Sequence, residues 1–513
     1  MTLKNIASHH HSSELRHFYR LKAGDLSGAV ASPPSSVDRS RLVQGLRAYH
    51  ERLGTLTPTL EAQLTKLQHP NSRVVVAGQQ AGLLLGPAFT VHKAVDAILL
   101  ARQLDTEEQP VLPIFWVASQ DHDALEVAST MLLDFREHLV NLSLPLPQGI
   151  PVYRIPLHQE WVDHVSRAIS DMDAPFKDRA LKLVQDSAKG NYADWFAGMA
   201  QRLLGEEGLI TFDPMFPELA ALFVPALERE LERPLASPHR IEDAAGELIA
   251  LGFEPQLRRQ AGATNLFLEG NDGHRRLLRY DGSNFHAERM YTLKELQEIL
   301  RLDPSRITPA AGLRPIVQDT VLPTIINVLG PGELAYATQL GKVYDLHGVA
   351  QPLLWKRLSV TYIEPPVRRI LSRYGITAQE FQRSPSEITE RLLLQESGVQ
   401  QAFREKLGEL ELLFEQLAET SVKLDVNLEG SVHRSRQRVV GHVQRLERKL
   451  ARHLMQVENA REGQFGRLYT HLLPGGVPQE RAISYLTYLA KYGDHPLKQL
   501  LSLPAGAQTP LDL

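Results

Sequence analysis

Cysteine is absent from this 513-residue chain. That removes disulfides, a thiolate nucleophile and thiolate-bound zinc together. Neither sign of charge dominates: 56 Lys and Arg stand against 60 Asp and Glu, a formal net charge of -4, which argues against a nucleic-acid-coating protein. No apolar run approaches the roughly 18–20 residues of a membrane-spanning helix. The first residues, Met1 to Ile6, lack the apolar block of a secretory signal. These absences lead to the expectation of a cytoplasmic protein with no membrane and no nucleic-acid partner. His9-His10-His11 is too short for a tag and reads as a solvated tail feature.

What the chain does have is concentrated between residues 74 and 126. The apolar run Val74-Val75-Val76-Ala77 breaks into Gly78-Gln79-Gln80-Ala81-Gly82 and continues to Gly86-Pro87. A helix-like stretch through Lys93 follows, then a second apolar run, Val111 to Val117, ending in Asp121-His122-Asp123 with Glu126 beyond. Short buried runs alternating with a helix predict a β-α-β unit with parallel strands. Ligands of open α/β sheets sit beyond the carboxyl ends of the strands, where both polar clusters fall.

The expected organisation is an α/β core in two parts, 1–230 and 306–384, with a small α+β module inserted at 231–305. In the module, Ala263 to Glu269 reads as a strand running into a turn, and Arg276 to Gly282 as its returning partner. Residues 385–470 differ in kind. Leu407, Leu410, Phe414, Leu417, Ser421 and Leu424 alternate in steps of three and four, as do Val439, Val443, Leu446, Leu450, His453 and Val457. This is the seam of a coiled-coil arm, either an intramolecular hairpin or a dimerisation device. A segment at 471–513, with Tyr485, Tyr488 and Tyr492, is expected to pack on the core.

Glycines at 78, 82 and 86 match neither the dinucleotide fingerprint nor a Walker loop. They would let backbone N–H groups face an anion, with the positive end of the next helix behind, or merely let that helix pack on the sheet. Lys93 is placed to reach a phosphate or carboxylate, and Gln79 and Gln80 to bind polar groups. His122 between Asp121 and Asp123 has its charged form favoured and could act as an acid or base. Asp123 and Glu126 could hold a magnesium or zinc ion or an ammonium group, or cap a helix. Arg314 is a natural clamp for a carboxylate or phosphate, or a structural partner for Asp319. Gly330 and Gly332 form a second backbone-exposing turn, and Lys356 and Ser359 lie at the exit of the last core strand.

Several of these blocks, in order, resemble the BshC family, the cysteine-adding enzymes of bacillithiol biosynthesis. Gly78-Gln79-Gln80-Ala81-Gly82-Leu83 through Gly86-Pro87, Thr90 and Lys93 carry the first match, and Phe115-Trp116-Val117-Ala118 with Asp121 to Asp123 and Glu126 the second. Arg314-Pro315 with Gln318-Asp319 follows, then Gly330-Pro331-Gly332-Glu333-Leu334-Ala335-Tyr336, Leu428 to Ser431, Gln479-Glu480-Arg481 and Ala490 to Gly493.

The resemblance implies a Rossmann-type core related to class I aminoacyl-tRNA synthetases, a coiled-coil domain and a homodimer. It implies ligation of cysteine to glucosaminyl malate, with ATP and Mg2+ activating the carboxyl group by analogy. Gly78, Gly82, Gly86 and Lys93 would then serve the phosphates, and Asp121, Asp123 or Glu126 the substrate amino group. His122 would take the amine's proton, and Arg314 would hold a malate carboxylate. Gln79, Gln80, Thr90, Trp116, Gln318, Asp319, Gly330, Gly332 and Glu333 are carried over as further binding positions. Two other readings stay open: a metal-dependent hydrolase or transferase on Asp121, His122, Asp123 and Glu126, and a non-enzymatic scaffold built on the arm.

Overall fold

Strands apolar on both faces need cover on both faces, the condition of a parallel sheet with helices on each side. Arg73–Gln79 (β1), Val111–Val117 (β2), Ile210–Phe212 (β3), Thr324–Leu329 (β4) and Leu353–Lys356 (β5) meet it, and lie in the order β3-β2-β1-β4-β5. Every neighbouring pair is parallel, with Val76 of β1 between Ile114 of β2 and Asn327 of β4. This is the 3-2-1-4-5 order of a Rossmann-type sheet, whose topological switch point falls between β1 and β4.

The computed structural model describes residues 3–33, 36–457 and 463–513. They divide into two compact units, Met1–Val360 with Glu480–Thr509, and Thr361–Gln479 with Pro510–Leu513. The first unit contains the parallel sheet. Helix α1, Phe89–Leu104, is buried at every residue from Thr90 to Ile98. A helix buried all round is ordinarily apolar, yet this one carries His92, Lys93 and Asp96. Each is partnered: His92 with Glu480, Lys93 with Glu333, and Asp96 with the backbone N–H groups of Leu358 and Gly506. A tail that includes the helix Tyr485–Tyr492 belongs to the same unit, with Tyr485 and Tyr488 fully buried.

The first unit also holds a five-stranded antiparallel sheet. The expected hairpin is present, Ala263–Glu269 paired with Arg275–Tyr280, and its turn places Gly273 at φ 77°, where a side chain would be strained. Ile307–Pro309 pairs with the other edge of Ala263–Glu269, so this sheet draws a strand from beyond residue 305. The histidine run at the N-terminus is not wholly solvated. His10 is buried, with Nε2 3.2 Å from the carbonyl of Leu354 and its ring edge-on to Tyr19.

The second unit packs Val367, Ile370, Phe381, Leu392, Leu468 and Leu472 into a small helical core. Two long helices, Val399–Val422 and Glu429–Val457, extend from it and lie against each other. Leu407, Leu410, Phe414 and Ser421 are partly covered as the seam requires, whereas Leu417, Leu424 and Leu446 are exposed. In the second helix the covered positions include Val440, Val443 and Leu450, so the seam there runs one residue past Val439. The side chain of Val457 lies outside the described residues. Among the described residues, no helix is long and apolar enough to cross a membrane.

Candidate active site

The carboxyl ends of β1, β2 and β4 open into one pocket of about 520 Å3, next to the switch point. Gly78, Gln79 and Gln80 enter from β1, Lys93 from α1, Trp116 from β2, and Asp121, His122 and Glu126 from the segment after β2. Arg314 opens helix α2, Arg314–Val321, and Gly330, Gly332 and Glu333 lie at the start of helix α3, Pro331–Ala337.

Lys93 is 2 % exposed, and its ammonium is fully engaged. Nζ donates to the carbonyl of Gly78 and to Gln79 Oε1, each at 2.9 Å, and pairs with the carboxylate of Glu333. Burial pulls its pKa below the usual lysine value, opposed by Glu333. Burial works to raise Glu333, but Lys93, the N–H of Gly330 and Arg314 outweigh it and hold the carboxyl below its ordinary value. Glu333 Oε2 also accepts from Gly330 N at 2.8 Å. One ion pair thus ties β1, α1 and α3 together at the switch point.

One residue beyond Gln79, the side-chain amide of Gln80 donates to Asp121 Oδ2 and to Glu126 Oε2, both at 2.7 Å. Two carboxylates are held side by side at the rim. Among the described residues, no group of three or more His, Cys, Asp or Glu side chains forms a metal-ligand set.

The pocket also carries cations. Arg314 donates to Gln318 Oε1 at 2.9 Å and to the Tyr336 hydroxyl at 3.4 Å, and lies 5.9 Å from the centre of the Trp116 ring. Gln318 Nε2 in turn donates to Asp319 Oδ1 at 2.9 Å and Asn327 Oδ1 at 3.1 Å, and Tyr344 donates to Asp319 Oδ2 at 2.6 Å. Burial pushes Asp319 up to about 6. Gln318 and Asp319 therefore stand behind Arg314 and orient it, rather than forming the pocket wall. Among the described residues, no carboxylate lies within ion-pair distance of Arg314, Arg275 or Arg481, all of which line the pocket. Trp116 Nε1 and Gln120 Oε1 are buried in the wall without a hydrogen-bond partner among the described residues, polar atoms a bound ligand could satisfy.

Three residues of the glycine turn and the helix after it do not reach the pocket. A Cβ on Gly82 would stand 2.9 Å from the Cα of Gly86, so these glycines exist for backbone-on-backbone packing. Leu84, Leu85 and Gly86 all have positive φ, at 52°, 67° and 64°, a sharp turn that leucine adopts only under constraint. The constraint comes from the tail, where Ser484 Oγ donates to the carbonyl of Leu84 and Ala88 N donates to that of Ile483. Thr90 is buried within α1. Gly82, Gly86 and Thr90 thus stand apart from the pocket wall, which Gly78 of the same turn joins. Asp123 points to solvent.

Two pocket residues, Arg357 and Arg275, belong to none of the sequence motifs. Arg357, not its exposed neighbour Lys356, faces the pocket, held by both carboxylate oxygens of Glu480. Arg275 comes from the antiparallel hairpin. Strand alternation could assign it to one face of the hairpin, but no local pattern says that this face meets the crevice.

A Rossmann-like sheet thus carries, at its switch point, a pocket lined by side chains of both charges. Comparison with known proteins gives the family. Residues 5–358 match the model of the BshC N-terminal Rossmann-like domain of bacillithiol biosynthesis, and residues 360–510 that of the BshC C-terminal coiled-coil domain. The chain belongs to the BshC family.

Curated relatives bear the name "Putative cysteine ligase BshC", among them those of three organisms. One from Thermus thermophilus is 42% identical over 467 residues, 90% of this chain and 92% of its own length. That of Salinibacter ruber is 31% identical over 488 residues, 92% and 88% of the two chains. That of Anoxybacillus flavithermus is 28% identical over 477 residues, 89% and 87%.

Proposed function

We propose that this chain is an amide-bond-forming ligase that joins the carboxyl group of L-cysteine to the amine of glucosaminyl malate, giving bacillithiol. The observation that carries the reading is that Arg314, a guanidinium with no carboxylate partner among the described residues, lines the same pocket as the joined carboxylates of Asp121 and Glu126. Glucosaminyl malate carries two carboxylates and one amine. Arg314 holds a malate carboxylate through the two parallel N–H groups that suit a planar anion, while Asp121 and Glu126 draw the amine.

The enzyme's part in the reaction is then orientation and charge stabilisation at the switch point of the sheet. ATP with Mg2+ would activate the cysteine carboxyl, whose lost oxygen would leave with a phosphate of the nucleotide; of the residues expected to serve the phosphates, Gly78 and Lys93 line the pocket. The name carried by the curated relatives supports the cysteine half of the reaction. The exposed Leu412, Leu413 and Leu446 of the arm support a homodimer paired through the long helices, which sedimentation of the purified protein tests directly.

The test of the substrate reading is calorimetric titration with glucosaminyl malate and with its dimethyl ester, which keeps the amine but loses both carboxylate charges. Tight binding of the dianion alone, weakened at least about tenfold in Arg314→Met, supports the reading. Equal affinity for the two ligands overturns it.

A further inference from the structure

Nη1 of Arg275 lies 3.2 Å from Nδ1 of His122. A guanidinium offers only N–H donors and no acceptor. Burial pushes Arg275 down only to about 10, so it is protonated at neutral pH. Nδ1 must therefore accept, and an imidazole whose Nδ1 accepts while the ring is neutral carries its proton on Nε2.

Arg275 is not free to turn away. Its Nε donates to Thr308 Oγ1 at 2.8 Å and its Nη2 to the carbonyl of Pro309 at 3.1 Å. Its guanidinium carbon lies 4.0 Å from the centre of the Phe267 ring, and His122 packs against the same ring at 5.7 Å between centroids.

The charged groups facing His122 are Arg275, Asp121 and Asp123. Asp121 Oδ1 is 3.7 Å from Nδ1, beyond hydrogen-bond reach, and already accepts the backbone N–H groups of His122 and Asp123 at 2.7 and 3.3 Å. It does not compete for Nδ1. Burial and Arg275 together lower the pKa of His122, against the opposing pull of Asp121 and Asp123.

We propose that His122 works as a neutral hydrogen-bond donor, through Nε2, to an anionic oxygen of the substrate, and that Arg275 is the positioning residue that fixes this tautomer. The expectation that His122 takes the amine's proton is thereby reversed, because a ring nitrogen that already holds its proton cannot receive another as a base. The proton falls instead to the acidic rim, Asp121 and Glu126. The donor role rests on the ligase reading; the tautomer does not.

The test has two arms, both on the full chain. In the first, 15N-histidine-labelled protein is examined by long-range proton–nitrogen correlation, with the His122 signals identified by their loss in His122→Gln. The expected spectrum shows Nε2 protonated and Nδ1 bare at neutral pH. Arg275→Met, which removes donor and cation, should mix the tautomers and move the His122 titration upward, while Arg275→Lys should restore part of the wild-type pattern. A proton on Nδ1, or a doubly protonated ring at neutral pH, overturns the proposal.

In the second arm, glutamine can present an amide N–H where Nε2–H stood but cannot act as a base. His122→Gln should keep turnover within about tenfold of wild type, and His122→Leu should lose about a hundredfold or more. A glutamine variant as inactive as the leucine variant overturns the donor role. Wild-type protein that forms no bacillithiol refutes the ligase reading itself, and the first arm still decides the tautomer.

Discussion

Glu480 holds Arg357 with both carboxylate oxygens, accepting hydrogen bonds at 2.9 and 2.6 Å. The same carboxylate accepts from Ser359 Oγ at 2.9 Å and stands 3.1 Å from Nδ1 of His92 on α1. A residue of the returning tail thereby fixes an arginine of the pocket wall. Burial acts to raise the Glu480 pKa, but His92 and Arg357 outweigh it and hold the carboxyl far below its ordinary value.

Glu480→Gln should therefore destabilise the protein by about 3–5 kcal/mol, the cost of leaving one member of a buried pair unpartnered. Because the folded pKa is depressed, the contribution of Glu480 is complete above the unfolded value of about 4.3 and is lost as pH falls below it. Denaturant midpoints measured from neutral to acid pH should fall more steeply for wild type than for Glu480→Gln. Parallel curves would show that the pair contributes nothing.

Lys93 and Glu333 make a second prediction. Lys93→Ala would strand a carboxylate and two acceptors beside a buried cavity, so the variant should lose about 3–5 kcal/mol as well as activity. In Lys93→Met/Glu333→Gln the charges vanish together, and the double variant should be more stable than the sum of the single losses allows. Its turnover should not recover. Recovery of activity with stability would reduce Lys93 to a structural role.

Gly82→Ala tests what the glycine turn is for. The new Cβ would meet the Gly86 backbone at 2.9 Å, with a cost of about 1–3 kcal/mol. Thermal unfolding should come earlier, while KM measured well below the transition stays unchanged. A raised KM in a protein of normal stability would return the turn to the ligand.

The strand–helix–strand pattern of residues 74–117 was legible because its strands are continuous apolar runs, and such runs fold only between two layers of helices. Half-buried arm helices blur their seam, which is why Val439 and Leu446 read as inward-facing when Val440 is the covered position. The pocket was legible where its residues adjoin strand ends, as with Gly78, Gln80, Asp121, His122 and Gly330. It was not legible where tertiary contact alone makes the wall. Arg275 arrives from another sheet, and Gly82 with Gly86 looked like an anion cradle because glycine serves close backbone packing and ligand approach equally well.

Arg314→Lys should raise KM for the acceptor substrate by about 10- to 100-fold, with a smaller change in kcat. The lysine keeps the charge but loses the planar pair of donors and the bond through Gln318 that aims it. Steady-state kinetics with cysteine saturating would show it. A wild-type KM would place the malate carboxylates elsewhere.

The most direct measurement is mass spectrometry of the purified protein incubated with L-cysteine, glucosaminyl malate, ATP and Mg2+, with each component omitted in turn. The account predicts bacillithiol, the two substrates joined with loss of one water, in the complete mixture and none when either substrate is left out. The ATP-free reaction shows whether the carboxyl is activated by the nucleotide. A complete mixture in which glucosaminyl malate and cysteine both persist unjoined would contradict the account.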